Sequence, residues 1–540
     1  MKIIFLITLI TYIVHIWIIS TKSLHMLQQN RYNRGYRYIK WIMKNFKDNF
    51  INNRLVLLLS FIVILFISLD LEFIVGYFIG IILAFIIVGH LSNKKEQKSA
   101  KLPFKYTARI KRLIVTNNII HIIPLVIMGV TFNKEYICVY YIILAIIAIL
   151  NWFTIILINF INRPVEKIVG NHFKKMAITK LNSMTGMDVI GVTGSYGKTS
   201  TKNVLYDILN IKYNVFKTPQ NFNTPFGLMI TINEHMDKYN DFFIAEMGAC
   251  KKGEIKELCD LVHPKYGVLT RVGLAHLETF GSEEIIQSTK FELIESLPSD
   301  GIGILNGDDE KQLSYSIKND CEIVWIGIDN KDTDVYADNL ELSYKGTKFD
   351  VVFKNLGETY SFETKLLGRN NIYNILGGIA LGHKLGISIP ELQKAVKRVE
   401  PVEHRLSMTH YYDINIIDDA YNSNPMGCKM ALEVLGMMPG KKMVVTPGMI
   451  EVGEKEDEVN KEFGRQIGEV VDEAILIGEN KTKAIYEGLI ESGFDREHIH
   501  VLNDVMDAFD LMVKLKGDAT YVLLENDLPD SFNEKLGGKK

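Results

Sequence analysis

The sequence predicts an α-helical membrane region of about five transmembrane helices, followed by an α/β part in which a P-loop central domain with a mainly parallel sheet precedes a Rossmann-like C-terminal domain. Three observations predict it. Charge is divided unevenly: up to Val165 there are five acids (Asp48, Asp70, Glu72, Glu96 and Glu135) against nineteen lysines and arginines, so this part carries +14 and the remainder −16, within a total of −2. Apolar, charge-free stretches near the roughly 20 residues that a membrane helix requires recur in that first part. After Arg163, short β-branched runs alternate with amphipathic stretches of about ten to fifteen residues, the texture of βαβ units. The domains are accordingly placed at 1–165, 166–400 and 401–540.

A chain of 540 residues has room for three or four domains. Forty glycines without a period and five cysteines without a CxxC pair exclude collagen-like, disulfide-framework and zinc-ribbon classes. The cysteines read as reduced, and no nucleic acid is expected as a partner.

The five apolar stretches are 3–20, 55–69, 73–91, 113–133 and 136–162. Without water, only a helix satisfies its own backbone there. The loops 22–54 and 94–112 hold eight basic residues each, whereas the turns around Asp70 and Glu135 are almost free of them. The positive-inside rule puts both basic loops in the cytoplasm and the amino terminus outside, giving a multi-pass cell-membrane protein whose catalytic domains face the cytoplasm. Met-Lys before an apolar run also fits a cleaved signal peptide, but no small-x-small site follows and a strongly basic loop does. Asn117, Asn118 and His121 in the fourth stretch read either as a contact to a lipid substrate or as glue between helices.

In the soluble part, 164–187 reads as a linker or first helix and leads into the apolar run 189–192. A helix at 390–398 is followed by a change of texture at 399–402. Thereafter strands are expected at 414–417, 442–445, 474–477 and 521–524, with helices at 425–438 and about 456–471 between them, and a frayed tail at the carboxyl end.

Thr193-Gly194-Ser195-Tyr196-Gly197-Lys198-Thr199 stands between an apolar strand and the helical stretch 200–209. Backbone N–H groups of such a turn and the positive helix end cradle phosphate oxygens; Lys198 adds a point charge and the Thr199 hydroxyl a Mg²⁺ ligand. The usual GxxxxGK[ST] spacing fails here, because Val192 occupies the first position and the glycine sits one earlier, at Gly191.

That loop resembles the one in the Mur ligase family, ATP-dependent enzymes that join a carboxylate to the amine of an amino acid or peptide. The resemblance runs from about Lys180 to the end and is nearest to the UDP-N-acetylmuramoyl-tripeptide:D-alanyl-D-alanine ligase branch. It implies that Thr193, Gly194, Ser195, Gly197, Lys198 and Thr199 hold ATP. Glu246, ending Phe242-Phe243-Ile244-Ala245-Glu246, resembles the family's Mg²⁺ ligand. His276, in Gly273-Leu274-Ala275-His276-Leu277-Glu278, resembles the ligand of a second Mg²⁺. Lys290 matches the lysine that the family often carries as a carbamate, which would turn a cation into an anion able to sit beside metal. Asn371 would read adenine and Asn374 brace its turn, Arg405 would reach the phosphates and Asp419 the ribose. Asn223 and Thr224 lie in a segment resembling the substrate-facing loop, and Asn306-Gly307-Asp308-Asp309 is left with a structural role.

Two departures stand out against this resemblance. The membrane stretches occupy the place of the family's UDP-binding domain. Glu525-Asn526-Asp527 also replaces a Lys-Gly-Ser type of turn, which puts the incoming amine in doubt. The expected function is a membrane-anchored amide ligase acting through an acyl phosphate on a carboxylate of a cell-wall or envelope precursor, nucleotide- or lipid-linked, with an amine co-substrate and the lipid bilayer as partners. A ligase for another carboxylate such as polyglutamate, an ATP-driven transporter and an inactive membrane scaffold are the alternatives.

Overall fold

The computed structural model describes residues 16–17, 20–29, 32, 38–39, 42–43, 104–130, 137–273, 277–420, 424–449 and 455–526. The chain divides into two compact units, residues 1–171 with 529–540, and 172–528.

In the first unit, α1 (Ala108–Val130) and α2 (Ile137–Ile161) cover most of the fourth and fifth predicted stretches. The stretches 55–69 and 73–91, and most of 3–20, lie outside the described residues. Among the described residues one helical stretch, Ala108–Ile127, is long and apolar enough to cross a membrane, and Leu150–Ile161 is a shorter apolar one. Five spans are therefore an expectation carried by the sequence. Asn117 and His121 are buried and link helices: Asn117 Nδ2 donates to Ser20 Oγ at 2.9 Å, and His121 Nε2 stands 2.9 Å from Asn151 Oδ1. This is the geometry of glue between helices; Asn118 is exposed. Arg112 grips Glu166 with both carboxylate oxygens engaged, at 2.7 and 2.8 Å.

A helix, α3 (Arg163–Asn182), leads to β1 (Asp188–Thr193), α4 (Lys198–Leu209), β2 (Val215–Lys217), α5 (Pro225–Ile230), β3 (Phe242–Glu246), α6 (Glu254–Val262), β4 (Tyr266–Leu269), α7 (Glu283–Phe291), β5 (Ile302–Asn306) and β6 (Glu322–Gly327). Then come β7 (Val335–Ser343), β8 (Gly346–Phe353), β9 (Glu358–Thr364), α8 (Arg369–Lys384) and α9 (Ile389–Arg398). The sheet order is β2-β3-β1-β4-β5-β6-β7-β8-β9, parallel from β2 to β7 and antiparallel across β7–β8–β9. Side chains alternate between faces. Ile190 and Ile244 pack with Leu205 of α4 and Leu376 of α8, while Val189 and Phe243 pack with Leu228 of α5 and Leu258 of α6. With both faces covered, β1 is an almost continuous apolar run, as parallel strands are. Successive strands are laid down on opposite sides of β1, between β3 and β4, so its carboxyl end is the switch point where such sheets bind ligands.

The last part comprises β10 (Ser407–Tyr411), β11 (Ile414–Asp419), α10 (Pro425–Gly436), β12 (Lys441–Thr446), α11 (Glu456–Gly468), β13 (Glu473–Ile477), α12 (Lys483–Glu491), β14 (Ile499–Leu502), α13 (Val505–Leu515) and β15 (Thr520–Glu525). Its sheet runs β10-β11-β15-β12-β13-β14, parallel except for the β10–β11 hairpin. Ile417, Val444 and Leu476 face α10 to α12, and Ile416, Val445 and Ile475 face α13.

Candidate active site

The phosphate loop leaves β1 at Thr193, whose hydroxyl donates to the Met247 carbonyl at 2.8 Å. Gly194 has φ of 151° and Gly197 of 79°. A Cβ at Gly194 would stand 1.9 Å from Thr270 Oγ1, so both conformation and space demand glycine there. Ser195 is fixed by its N–H to the Arg271 carbonyl (2.8 Å) and its hydroxyl to the Gly273 carbonyl (2.9 Å). Gly197 then caps α4, whose N-terminus points at the cradle.

Lys198 Nζ donates to the carbonyls of Gly194 at 2.7 Å and Ser195 at 3.0 Å. Burial pushes this ammonium down to about 8, with Glu246 opposing and Arg405 reinforcing the shift. Lys290, on the last turn of α7, is 3% exposed. Burial, followed by the charge of Lys198, lowers it to about 7. A substantial neutral fraction near neutral pH is the chemical precondition for reaction with CO2.

At the end of β3, Glu246 is 1% exposed. Its Oε1 accepts from Thr199 Oγ1 at 3.2 Å and from Asn223 Nδ2 at 3.0 Å. Its Oε2 is buried without an aligned hydrogen bond, although Lys202 Nζ lies 2.9 Å away as an ion pair. A hydroxyl and a carboxylate converging with an under-satisfied oxygen form a hard oxygen donor set that fits Mg²⁺. Among the described residues no three His, Cys, Asp or Glu side chains cluster as a metal cage, in keeping with an ion completed by phosphate and water. His276 lies outside the described residues.

Across the pocket, Asn374 Oδ1 accepts from Thr201 Oγ1 at 2.7 Å, tying α8 to α4, and its Nδ2 donates to Asn371 Oδ1 at 3.1 Å. Asn371 Nδ2 donates to the Leu367 carbonyl at 2.9 Å, which leaves one N–H and one lone pair for a base. Arg405 lies between two left-handed residues, His404 (φ 59°) and Leu406 (φ 49°). Asp419 Oδ1 accepts from the Leu406 N–H at 3.2 Å, and His404 Nδ1 stands 2.6 Å from Asp418 Oδ2. Burial raises Asp419 to about 6 against the pull of Arg405. Gly197, Thr201, Asn371, Arg405 and Asp419 thus line a single pocket built from both sheets.

Most of the sequence-predicted residues therefore converge. Thr224 is an exception, since its hydroxyl accepts from Gly227 N–H as the N-cap of α5 and holds the substrate-like loop from behind. In the Asn-Gly-Asp-Asp segment, Asp309 Oδ2 accepts from Val272 N–H at 2.8 Å and Asp308 accepts from Tyr373 OH at 2.8 Å, a bracing role. The acidic replacement at Glu525 is buried and accepts from Cys428 Sγ at 3.2 Å. Sequence reasoning missed Lys202, whose signal was its place one turn beyond Lys198 on the same face of α4.

Residues 192–382 match the Mur ligase middle domain and residues 404–525 the Mur ligase glutamate ligase domain, together more than half of the chain. The chain belongs to the Mur ligase family. Among its relatives, the UDP-N-acetylmuramoyl-tripeptide–D-alanyl-D-alanine ligase of Bacillus subtilis is 35% identical over 286 residues, covering 52% of this chain and 60% of the relative. Its Escherichia coli counterpart is 30% identical, covering 51% and 61%. The chain thus spans about three fifths of the length of these Mur ligases. The crystal structure of MurF ligase from Thermotoga maritima in complex with ADP superposes with a TM-score of 0.59 at 27% identity, covering 68% of this chain and 82% of that one. A MurF structure from Acinetobacter baumannii shares the fold, with a TM-score of 0.60 at 23% identity.

Proposed function

We propose that this Mur ligase is a membrane-anchored, ATP-dependent amide ligase of the D-alanyl-D-alanine-adding type, acting on a muramoyl-peptide carboxylate or a lipid-linked counterpart. The observation that carries the reading is the convergence of Lys198, Thr199, Glu246 and Lys290 beside the phosphate loop, with Arg405 contributed from the C-terminal sheet.

A carboxylate oxygen of the acceptor attacks the γ-phosphorus of ATP, the bond to the β-phosphate oxygen breaks, and ADP and an acyl phosphate result. The amine nitrogen then attacks the acyl carbon, gives up a proton, and inorganic phosphate leaves as the amide forms. Lys198 and Arg405 balance the charge that builds on the transferred phosphoryl group, and the loop N–H groups fix its orientation. Thr199 and Glu246 would hold Mg²⁺, which when bound neutralises phosphate charge; Lys290, as a carbamate, and His276 would serve a second ion. Asn371 would meet adenine, Asp419 the ribose and Asn223 the acceptor.

Membrane attachment is supported by α1, where Val115, Ile119, Ile122, Ile123, Val126 and Ile127 are each at least 50% exposed, a face suited to lipid. With the positive-inside asymmetry, the ligase domains would face the cytoplasm. Retention of Lys198, Glu246 and Lys290 in one pocket favours catalysis over an inactive scaffold, and a transporter leaves Lys290 without a task.

The test uses the full chain in detergent with ATP and Mg²⁺. Phosphate should be released with UDP-N-acetylmuramoyl-tripeptide and D-alanyl-D-alanine present together and not with either alone. Release indifferent to both would overturn the ligase reading.

A further inference from the structure

Lys202 has no part in the mechanism above, yet its side chain is 2% exposed. Its ammonium stands 2.9 Å from Glu246 Oε2 and donates to the main-chain carbonyl of Gln220. Gln220 is a non-glycine residue at φ 44°, a conformation that persists only where the surroundings impose it. The segment it belongs to is stitched to the end of β3 at every step. Thr218 N–H donates to the Ile244 carbonyl at 3.0 Å, Glu246 N–H donates to Thr218 Oγ1 at 3.2 Å, and Gly248 N–H donates to the Asn223 carbonyl at 2.8 Å. A Cβ at Gly248 would stand 2.9 Å from the Asn223 side chain, so the loop is seated directly on the strand end.

A buried lysine–carboxylate pair is a poor source of stability, because desolvation consumes most of its Coulomb attraction and a packed apolar pair would serve as well. What an apolar pair cannot do is hold a backbone carbonyl and a carboxylate at one fixed separation. We propose that Lys202 is a positioning residue that ties the 218–224 loop to Glu246, so that the acceptor carboxylate is registered against the terminal phosphate. This rests on the ligase reading for what the loop receives, and on geometry alone for the tether.

The experiment compares the full chain with Lys202→Met and Lys202→Arg. Hydrogen exchange of the 220–223 amides in nucleotide-free protein should quicken about tenfold or more in Lys202→Met, with partial protection restored in Lys202→Arg. In turnover with UDP-N-acetylmuramoyl-tripeptide as the acceptor probe, the KM for that probe should rise about tenfold while the KM for ATP stays within about twofold. If Lys202→Met does not fold, Lys202→Gln, which keeps an N–H for the Gln220 carbonyl without charge, carries the same exchange and KM measurements. Unchanged loop exchange in the folded variant, or a loss that falls on ATP alone, would overturn the tether. Absence of turnover in the unmodified chain would remove the ligase reading and leave the exchange result to decide the tether.

Discussion

The two walls of the nucleotide pocket are built by opposite means. On the phosphate-loop side the fixing groups are covalently close to regular structure: Gly197 caps α4, Glu246 ends β3, and Lys198 is held by carbonyls of its own loop. On the facing side, Arg405 is presented from a turn with a left-handed residue before and after it, braced by the carboxylates of Asp418 and Asp419. The first wall is rigid by construction, and the second holds local strain against side-chain bonds. Substitutions on the first wall should cost chemistry, and those on the second should trade stability against closure.

The sharpest break is Lys198→Ala, which should lower phosphate release by about three orders of magnitude or more while the fold, followed by circular dichroism, persists. Lys290→Ala should cost about a hundredfold in kcat. Added short-chain carboxylates should restore part of that activity, since they replace the anion a carbamate would supply; no rescue at any concentration would remove the carbamate role.

Asp419→Asn comes next and reads out on stability. Because burial holds Asp419 near 6 rather than its ordinary 3.8, the folded state binds the extra proton between those values and loses stability as pH rises through them. The asparagine variant keeps an oxygen for the Leu406 N–H. It should therefore melt above the parent by roughly 2–4 °C at pH 7 and converge with it below about pH 4. The smallest effect belongs to His404→Gly: relief of the left-handed strain and the added chain entropy of glycine offset one another, leaving stability within about 0.5 kcal/mol by urea titration. A large loss there would mean that the His404–Asp418 contact, and not the backbone, carries that wall.

Legibility in the sequence follows the same division. Elements with continuous apolar runs or strong helical periodicity were readable to within a few residues: the expected strands at 414–417 and 442–445 are β11 and β12, and the helix at 390–398 is α9. The β7–β9 extension escaped, because its exposed antiparallel strands carry mixed polar residues such as Asp338, Glu341 and Lys348 whose pattern is weak. In the site, residues in contiguous motifs were legible, since backbone geometry at a strand-to-helix turn is encoded locally. Lys202 was not, because its meaning depends on Gln220 and Glu246, which only the folded sheet brings to it. Thr224 shows the converse error: a motif position was taken for a contact, whereas local helix capping claims its hydroxyl.

The carbonyl cradle around Lys198 has a further consequence. An ammonium that is already desolvated and bound to two carbonyls presents no loose cation to passing anions, so the vacant loop is a poor trap for inorganic phosphate or sulfate. Only a triphosphate, which brings several oxygens at once and can replace both partners together, offers that lysine something better than it already holds. The competitor most able to slow this protein is thus its own nucleotide product and not the phosphate released beside it.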